Sequence, residues 1–356
     1  MKVSFVDLAA QWAPLKQDIL ADWEDILDSA SFVGGKYLDN FEKELAAYCD
    51  TRFAIGVSSG TSALTTILRA LDIGPGDKVG VQAETFIATA YAVKQVGAEV
   101  VFLDSEGVTV DDLKPLKAFI MVHIYGEVKL ETSQRIMMAA EAAGCYLIED
   151  ACQAIGCPGV SNFGIATAFS FYPAKNLGCA GQGGAVITDD EALSIRVREY
   201  INQGWISDGL HAAEAGNERL DPVQATVLSR GLKELGSWNL QRKTIAQMYD
   251  AGLPPNVTPM VTPGANCVYH LYPVQCQTPA LRDSLSAYLT EHDVSNARHY
   301  PKAITQQTGF RTSGFAKLEN RLARHLTLPM FPTMSAEQVQ YVLDVVNEWS
   351  KTVCSI

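Results

Sequence analysis

One lysine, Lys175, stands between an apolar aromatic run and a chain of glycines in the stretch "FSFYPAKNLGCAGQGG", residues 169–184. Lysines usually belong on charged, solvated surfaces, so this one is either a loop charge or a reactive amine. Desolvation and neighbouring positive charge can remove the proton of a lysine, which then acts as a nucleophile. The glycines that follow permit close backbone approach and positive φ angles. Considered by itself, however, a lysine in such a position is more often a solvated loop residue.

A carboxylate occupies a second unusual position. Asp150 ends the run "CYLIED", where we predict the carboxyl end of an apolar strand. An ionised carboxylate at such a place needs a cationic or hydrogen-bond-donating partner. Asp150 is therefore either a helix cap or a counter-charge that keeps a heteroaromatic nitrogen protonated. Gln153 follows shortly after it, where a turn or a helix start could bring its amide to the same ligand.

A small, glycine-containing turn precedes the first strongly helical pattern. Ser59, Gly60, Thr61 and Ser62 follow the β-type run "FAIGVS". Such a turn at a helix start presents free N–H groups and the positive end of the helix dipole, which suits a phosphate. The same residue types are also ordinary helix caps. No Walker A or GxGxxG pattern is present, so neither a nucleotide loop nor a dinucleotide-dependent dehydrogenase is predicted.

Together these features indicate one cofactor. Ser170 lies in a predicted buried strand shortly before Lys175. A phosphate cradle, a strand-end aspartate, a buried serine and a glycine-flanked lysine are what pyridoxal 5'-phosphate requires. They would serve as phosphate anchor, pyridinium partner and Schiff-base amine. The combination favours a reactive Lys175 over a loop charge.

The composition is that of an acidic globular protein. The 356 residues include 28 Lys and Arg against 40 Asp and Glu, for a net charge of −12 and a pI near 5.0. This charge argues against a nucleic-acid surface, which needs clustered Lys and Arg. The eight cysteines are scattered without a CxxC pair, so buried free thiols are favoured over a metal site. No signal-peptide pattern or long apolar span is found, and we expect a cytoplasmic protein with no membrane partner.

The secondary-structure pattern would place these residues at the end of a sheet. Between about residues 53 and 190, short apolar runs alternate with helical patterns, which predicts an α/β fold whose mostly parallel sheet has helices on both faces. Ligands bind beyond the carboxyl ends of such strands. The proline-rich stretch at 253–263 is expected to be the loop into a smaller α+β part. We place a large domain at residues 1–235 and a small C-terminal domain at residues 236–356.

The chain resembles the DegT-type sugar aminotransferases, which have the aspartate aminotransferase (fold type I) architecture. The resemblance covers nearly the whole length, and the motifs come in the right order. They are "FVGGKYLDNFEKELAAYCD", "VSSGTSAL", "ETFIATAYAV", "VHIYG", "EDACQAIG", "FSFYPAKNLG", "GNERLDPVQA", "YHLYPV", "RHYPKAITQQ" and "LPMFPTMSAEQV". Few other families share EDxxQA followed by FSFxPxKN, so the match is specific.

The resemblance implies how the cofactor ring would be held. Lys175 would form the Schiff base with pyridoxal 5'-phosphate and later shuttle protons. Asp150 would pair with the pyridine nitrogen, and Gln153 would lie near the phenolic oxygen. Phe86, in "ETFIAT", would stack on the ring; without the family, a core phenylalanine is the alternative.

The resemblance also implies a composite site in a homodimer. The phosphate would be held by Gly60, Thr61 and Ser170 of one subunit and by Asn217, in "GNERL", of the other subunit. A solvent-exposed loop asparagine is the alternative for Asn217. The sugar site would be bordered by His299 and Tyr300.

These roles predict an aminotransferase (transaminase) with two half-reactions. Glutamate would give its nitrogen to the cofactor, and the ketone of a sugar would then accept it. The expected acceptor is a nucleotide-linked 3- or 4-keto-6-deoxyhexose, used in amino-sugar and polysaccharide biosynthesis. A keto-cyclitol is an alternative acceptor.

Two other functions of the fold are disfavoured by the same residues. A non-catalytic regulatory or binding protein would be expected to lack Lys175 or Asp150, and the sugar-dehydratase branch carries histidine in place of the lysine. Four departures from the family pattern leave the substrate open: a shorter segment after Asp104, Glu218 at a commonly aromatic position, Gln182 at a commonly acidic one and Glu127 in place of glutamine.

Overall fold

The computed structural model describes residues 1–354 and contains a seven-stranded sheet. Its strands are β1 (Phe53–Val57), β2 (Lys78–Gln82), β3 (Glu99–Leu103), β4 (Ala118–Val122), β5 (Tyr146–Asp150), β6 (Ala166–Ser170) and β7 (Gly184–Thr188). They are ordered β1-β7-β6-β5-β4-β2-β3. All neighbours are parallel except that β7 is antiparallel to both β1 and β6. The predicted mostly parallel sheet is confirmed, with one reversed strand that the sequence pattern did not indicate.

Helices cover both faces of this sheet and build the rest of the chain. They are α1 (Leu8–Trp12), α2 (Lys16–Asp28), α3 (Lys36–Tyr48), α4 (Gly60–Ala70), α5 (Ile87–Gln95), α6 (Val110–Leu113), α7 (Leu130–Ala143), α8 (Glu191–Ile201), α9 (Pro222–Gly252), α10 (Pro279–Glu291), α11 (Ala316–Ala323) and α12 (Ala336–Cys354). Short 3₁₀ turns lie at Ala13–Leu15, Ile124–Gly126 and Ile304–Gln306.

Strand β4 shows why the central strands are apolar along their whole length. Ala118 and Ile120 belong to a core with residues of α4, α5 and α8 on one face of the sheet. Phe119 and Met121 belong to a core with residues of α7 on the other face. Successive side chains point to opposite faces, so a strand covered on both faces must be apolar at every position.

A smaller antiparallel sheet forms the C-terminal part. It consists of β10 (Val257–Pro259), β11 (Tyr272–Cys276) and β12 (His325–Leu328) in that order. The expectation that residues 253–263 form a loop was wrong in part: β10 lies within this stretch and pairs with β11. Pro259 is tolerated because β10 is an edge strand, where a missing N–H removes no ladder bond.

Helix α9 joins the two parts without a break. It packs against α2 and α3 near its start and against α12 near its end, and it spans the boundary that we placed after residue 235. The division into two domains therefore remains our proposal. A short exposed hairpin, β8 (Trp205–Ser207) and β9 (Leu210–His211), precedes α9. Across residues 1–354, no helix has both the length and the apolar character needed to span a membrane.

The reversed strand β7 determines what meets at the edge of the large sheet. Its first residue, Gly184, lies opposite Ser170 at the end of β6 and opposite Val57 at the end of β1. The start of α4, the end of β6 and the loop that carries Lys175 therefore converge at one place. Asp150 ends β5, the next strand in the sheet.

Candidate active site

A cavity of about 470 Å³ opens at the carboxyl ends of the central strands. This volume lies in the range of small-molecule and cofactor sites. Of the residues predicted from the sequence, those that line it are Gly60, Thr61, Phe86, Asp150, Gln153, Ser170, Lys175, His299 and Tyr300. The structure thus brings together every predicted site residue except Asn217.

Lys175 is not a solvated loop residue. Its backbone closes a turn onto Tyr172, and its partly buried side chain faces the cavity. Burial lowers the pKa of the amine, an effect that the nearby Cys152 and Asp150 oppose. The turn after the lysine requires glycine, because a Cβ at Gly178 would lie 2.3 Å from the carbonyl oxygen of Pro173.

The start of α4 forms an anion cradle. Ser59 caps the helix by accepting a hydrogen bond from the N–H of Ser62 at 3.0 Å. The N–H groups of Gly60 and Thr61 have no acceptor within the described part of the chain. A Cβ at Gly60 would lie 2.7 Å from Cβ of Ser170, so glycine is what lets these groups crowd together. Free N–H donors at the positive end of a helix dipole suit a phosphate.

Asp150 is buried and is held by two donors. The hydroxyl of Thr89, on α5, donates to Oδ2 at 2.7 Å, and the N–H of Cys152 donates to Oδ1 at 3.2 Å. Thr89 is itself fully buried, with its Oγ1 2.7 Å from that of Thr85. Asp150 therefore caps no helix but presents a fixed carboxylate to the cavity, as a pyridine nitrogen requires.

Gln153 links the two parts of the chain. Its Oε1 accepts from the N–H of Tyr125 at 2.7 Å, and its Nε2 donates to the hydroxyl of Tyr300 at 2.6 Å. Tyr300 has a φ of +55°, in the left-handed region that non-glycine residues rarely adopt. Burial raises the pKa of this phenol. The carboxamide of Gln153 is thus oriented by protein groups before any ligand enters.

Aromatic and imidazole rings cover the remaining walls. Phe86, just before α5, is 53% exposed, and its ring centroid lies 6.2 Å from that of Tyr300. A half-exposed phenylalanine at the edge of a cavity is suited to stack on a flat ligand. Nδ1 of His299 lies 3.0 Å from the hydroxyl oxygen of Thr327. Burial lowers the pKa of His299 to about 4, so this ring is neutral near pH 7.

His270 also lines the cavity, and a chain of hydrogen bonds assigns its tautomer. Nδ2 of Asn239 donates to the carbonyl of Ile155, so its Oδ1 accepts from Nδ2 of Asn176 at 2.7 Å. Oδ1 of Asn176 must then accept from Nδ1–H of His270 at 3.2 Å. Burial, with Lys175 nearby, holds the pKa of His270 well below its usual value. The neutral ring therefore keeps an acceptor lone pair on Nε2.

Asn217 lies outside the cavity of its own chain. It is exposed, and its Oδ1 accepts from Arg219 at 3.1 Å. The neighbouring Glu218 accepts hydroxyl hydrogen bonds from Ser58 at 2.5 Å and Ser62 at 2.6 Å. These hydrogen bonds attach this segment to the start of α4.

Thr89, His270 and Arg242 are among the cavity residues that were missed from the sequence. Thr89 and His270 lie inside the motifs "ETFIATAYAV" and "YHLYPV", but nothing in either pattern marks them as site residues. Arg242 lies in the middle of α9 with no local signal at all. Across the described residues, no group of three or more His, Cys, Asp or Glu could hold a metal. Seven of the eight cysteines are free thiols; five of these are buried, and Cys49 and Cys152 are partly buried.

The charged and polar groups that line the cavity suit pyridoxal 5'-phosphate. Unpaired N–H groups at α4 match the phosphate, and the fixed carboxylate of Asp150 matches a protonated ring nitrogen. Lys175 supplies a desolvated amine in the same cavity.

Known proteins share both the sequence and the fold. Residues 14–347 match the model of the DegT/DnrJ/EryC1/StrS aminotransferase family. The dTDP-3-amino-3,4,6-trideoxy-alpha-D-glucose transaminase of Streptomyces venezuelae is 36% identical over 99% of this chain and 97% of its own. A UDP-N-acetyl-3-dehydro-alpha-D-glucosamine 3-aminotransferase of Acidithiobacillus ferrooxidans is 37% identical over 97% of each chain.

A solved structure agrees with the fold. NtdA of Bacillus subtilis, with bound cofactor PMP, superposes with a TM-score of 0.91 at 26% identity, over 98% of this chain and 85% of its own. The expected fold type I architecture is confirmed. The chain belongs to the DegT/DnrJ/EryC1/StrS aminotransferase family and is a pyridoxal 5'-phosphate-dependent aminotransferase.

Proposed function

We propose that this enzyme transfers an amino group from L-glutamate to a nucleotide-linked keto-6-deoxyhexose in amino-sugar biosynthesis. Two relatives, a dTDP-sugar and a UDP-sugar aminotransferase by name, support the nucleotide-linked acceptor. Both names place the nitrogen at carbon 3 of the sugar, which favours a 3-keto acceptor over a 4-keto one. The main structural support for the aminotransferase reaction is that the desolvated amine of Lys175 shares one cavity with an anion cradle and the carboxylate of Asp150.

We propose that the predicted residues hold the cofactor at three points. Gly60, Thr61 and Ser170 bind its phosphate, Asp150 its ring nitrogen, and Phe86 one face of its ring. When bound, pyridoxal 5'-phosphate supplies an electron sink for the electrons released as a C–H bond beside the nitrogen breaks. Gln153 would lie near the phenolic oxygen of the cofactor, and Tyr125 and Tyr300 fix the orientation of its carboxamide.

The residues of this chain then act as proton carriers and positioning groups. In the donor half-reaction, Nζ of Lys175 removes the proton from the carbon that bears the amino nitrogen. In the sugar half-reaction, the same amine returns a proton to the sugar carbon that receives the nitrogen. Its depressed pKa makes the neutral, proton-accepting form accessible nearer to neutral pH. Asp150 keeps the ring nitrogen protonated, and Thr89 holds that carboxylate in place. His299 and Tyr300, which line the cavity, would border the sugar.

We further propose a cytoplasmic homodimer with shared active sites. Asn217 is exposed and lies outside its own cavity, so a role in phosphate binding needs a second chain. A two-fold dimer is the simplest assembly in which each chain donates this residue to the other.

A coupled assay tests the proposed function. The holoenzyme is incubated with L-glutamate and a panel of dTDP- and UDP-linked 3-keto and 4-keto sugars, with a keto-cyclitol included. We expect 2-oxoglutarate and a 3-amino sugar nucleotide in equal amounts. Preferred turnover of the keto-cyclitol would replace the substrate assignment, and absence of 2-oxoglutarate with every acceptor would refute L-glutamate as the donor.

A further inference from the structure

One hydrogen-bond acceptor on the cavity wall has no partner within residues 1–354. His270 lines the cavity, and its Nδ1–H donates to Oδ1 of Asn176 at 3.2 Å. The amide of Asn176 cannot be turned around, because its Nδ2 donates to Oδ1 of Asn239 at 2.7 Å and to the carbonyl of Val268 at 3.0 Å. Two acceptors therefore fix this amide, and the amide fixes the tautomer of His270. The lone pair of Nε2 is left free on the other side of the ring.

The backbone holds this ring in place and leaves Nε2 accessible. The N–H of His270 donates to the carbonyl of Tyr125 at 2.9 Å, and its carbonyl accepts from Nη1 of Arg242 at 3.4 Å. The residue is only partly buried. In the described part of the chain, Nε2 of His325 is sealed in the core without a partner, but Nε2 of His270 is not. His270 thus presents a fixed acceptor to a ligand in the cavity.

The surroundings of His270 keep its ring neutral and place it near the reactive amine. Burial lowers its pKa well below the usual value, and the charges of Lys175, Arg242 and His299 lower it further. At neutral pH the ring therefore offers a lone pair and not a second N–H. Asn176, which holds the ring, directly follows Lys175 in the chain. The free acceptor thus lies close to the amine that moves protons.

Few ligand groups can donate a hydrogen bond to this lone pair. The carboxylates of L-glutamate are only acceptors at neutral pH, and its amino group is the group transferred. The ring nitrogen of the cofactor pairs with Asp150 in the proposed binding mode. A keto-6-deoxyhexose, in contrast, brings hydroxyl groups, which donate as well as accept. In a 3-keto sugar the hydroxyls on carbons 2 and 4 flank the carbon to which Lys175 returns a proton.

We propose that Nε2 of His270 accepts a hydrogen bond from a sugar hydroxyl next to the keto carbon, an inference that rests on the proposed function. The substrate class is then a 3-keto-6-deoxyhexose that retains this hydroxyl. A site that hydrogen-bonds a hydroxyl strongly rejects the analogue without it, because the polar group of the site is then left unpaired. His270 is thereby a specificity-determining residue of the sugar half-reaction.

The test compares three sugars in the isolated sugar half-reaction, followed by the spectral change of the aminated cofactor. They are dTDP-3-keto-6-deoxyglucose and its 2-deoxy and 4-deoxy counterparts. We expect wild-type holoenzyme to use one of the two deoxy sugars about 10- to 100-fold less efficiently than the parent sugar, the range for a buried acceptor left without a donor. In His270→Asn this preference should fall to about threefold or less. Asparagine keeps an N–H for Asn176 near the position of Nδ1 but has no atom at that of Nε2.

Two matched variants separate the lone pair from the scaffold. His270→Gln places an amide oxygen near the position of Nε2 and should keep a preference of at least about fivefold. It also serves if His270→Asn does not fold. His325→Asn is the control, because the ring of His325 likewise donates through Nδ1, to the carbonyl of Leu322 at 2.9 Å, but lies outside the cavity. It should keep the full wild-type preference.

Two further measurements locate the effect in sugar recognition. Calorimetry with dTDP-6-deoxyglucose, which has no ketone, gives a readout without turnover, and its binding should weaken about tenfold or more in His270→Asn. The donor half-reaction with L-glutamate should change by less than about threefold in the same variant.

The outcomes distinguish this inference from the function on which it rests. Equal use of the three sugars by wild type, or a preference that survives in His270→Asn, overturns the hydroxyl site. An equal loss in both half-reactions also overturns it and makes His270 a support for Lys175. A wild-type enzyme that aminates no keto sugar nucleotide overturns the proposed function itself.

Discussion

The hydroxyl of Thr89, on α5, donates a 2.7 Å hydrogen bond to the carboxylate of Asp150, at the end of β5. Both side chains are buried, and Thr85 lies behind Thr89 at 2.7 Å. The threonine pair therefore holds the carboxylate in one orientation before any cofactor enters. Removing the charge of Asp150 and removing the supporting hydroxyl of Thr89 should therefore have different effects.

Removal of the charge should abolish most of the activity. Asp150→Asn should fold and retain some cofactor, but its turnover should fall by about 100-fold or more, because the ring nitrogen loses its anionic partner. Steady-state kinetics measure the loss. The control is Asp190→Asn, which changes an exposed carboxylate that caps α8. A loss below about tenfold, or ~1.4 kcal/mol, would mean that Asp150 has no essential electrostatic role.

Removal of the supporting hydroxyl should reduce turnover less than removal of the charge. Thr89→Val keeps the shape of the side chain but deletes the donor to Asp150, and we expect turnover to fall by about tenfold. Thr89→Ser restores the donor and should recover most of the rate. Equal rates for the valine and serine variants would show that packing, and not the hydrogen bond, is what matters at this position.

The lysine assignment predicts a chemical label. Lys175→Ala should lose the yellow colour of the bound cofactor together with transamination, whereas the exposed Lys233→Ala should keep both. Borohydride treatment of the wild-type holoenzyme should attach the mass of the cofactor to the peptide that contains Lys175. Mass spectrometry that finds the label on another lysine would show the assignment to be wrong.

The depressed pKa of His299 predicts a pH dependence of stability. Burial lowers this pKa to about 4 in the folded protein, against about 6.5 for an unperturbed histidine. The unfolded chain therefore binds the proton first, so the stability contributed by the neutral ring is fully present above about pH 6.5 and is lost as the pH falls toward 4. We expect the free energy of unfolding of His299→Gln to decline less steeply over this interval than that of wild type. If the free energies of unfolding of the variant and of wild type declined equally with pH, His299 would not be buried as a neutral ring.

The shared site predicts recovery of activity from two inactive variants. Lys175→Ala and Asn217→Asp, which places a negative charge against the phosphate, should each be inactive alone. When they are co-expressed, half of the dimers are mixed and half of the sites in these are intact, so about a quarter of wild-type activity should return. If Asn217 served its own chain, every site would carry a defect. Absence of recovery in verified mixed dimers would refute the exchange.

The local pattern of the sequence was sufficient to predict the strands of the large sheet and the residues near their ends. Apolar runs of strand length predicted β1 to β7, because a strand buried on both faces must be apolar at every position. Asp150 was predicted at the end of a strand, Ser170 within a buried strand and Lys175 shortly after it; in the structure Asp150 and Ser170 are the last residues of β5 and β6, and Lys175 follows in the next loop. The proline-rich stretch was misjudged at β10, since a proline on an edge strand leaves no mark in the pattern.

The tertiary structure decided which distant residues complete the cavity. The reversal of β7 brings Gly184 beside Ser170 and the start of α4, and strand order is a non-local property that periodicity does not contain. Thr89, Arg242 and His270 reach the cavity from α5, from α9 and from the segment before β11. Their chemistry depends on burial and on partners far along the chain, as the neutral tautomer of His270 shows. The sequence alone predicted the elements of the large sheet and the position of the candidate lysine, because these depend on neighbours in the chain. The packing decided the charge states and the hydrogen-bond partners of the site, because these depend on neighbours in space.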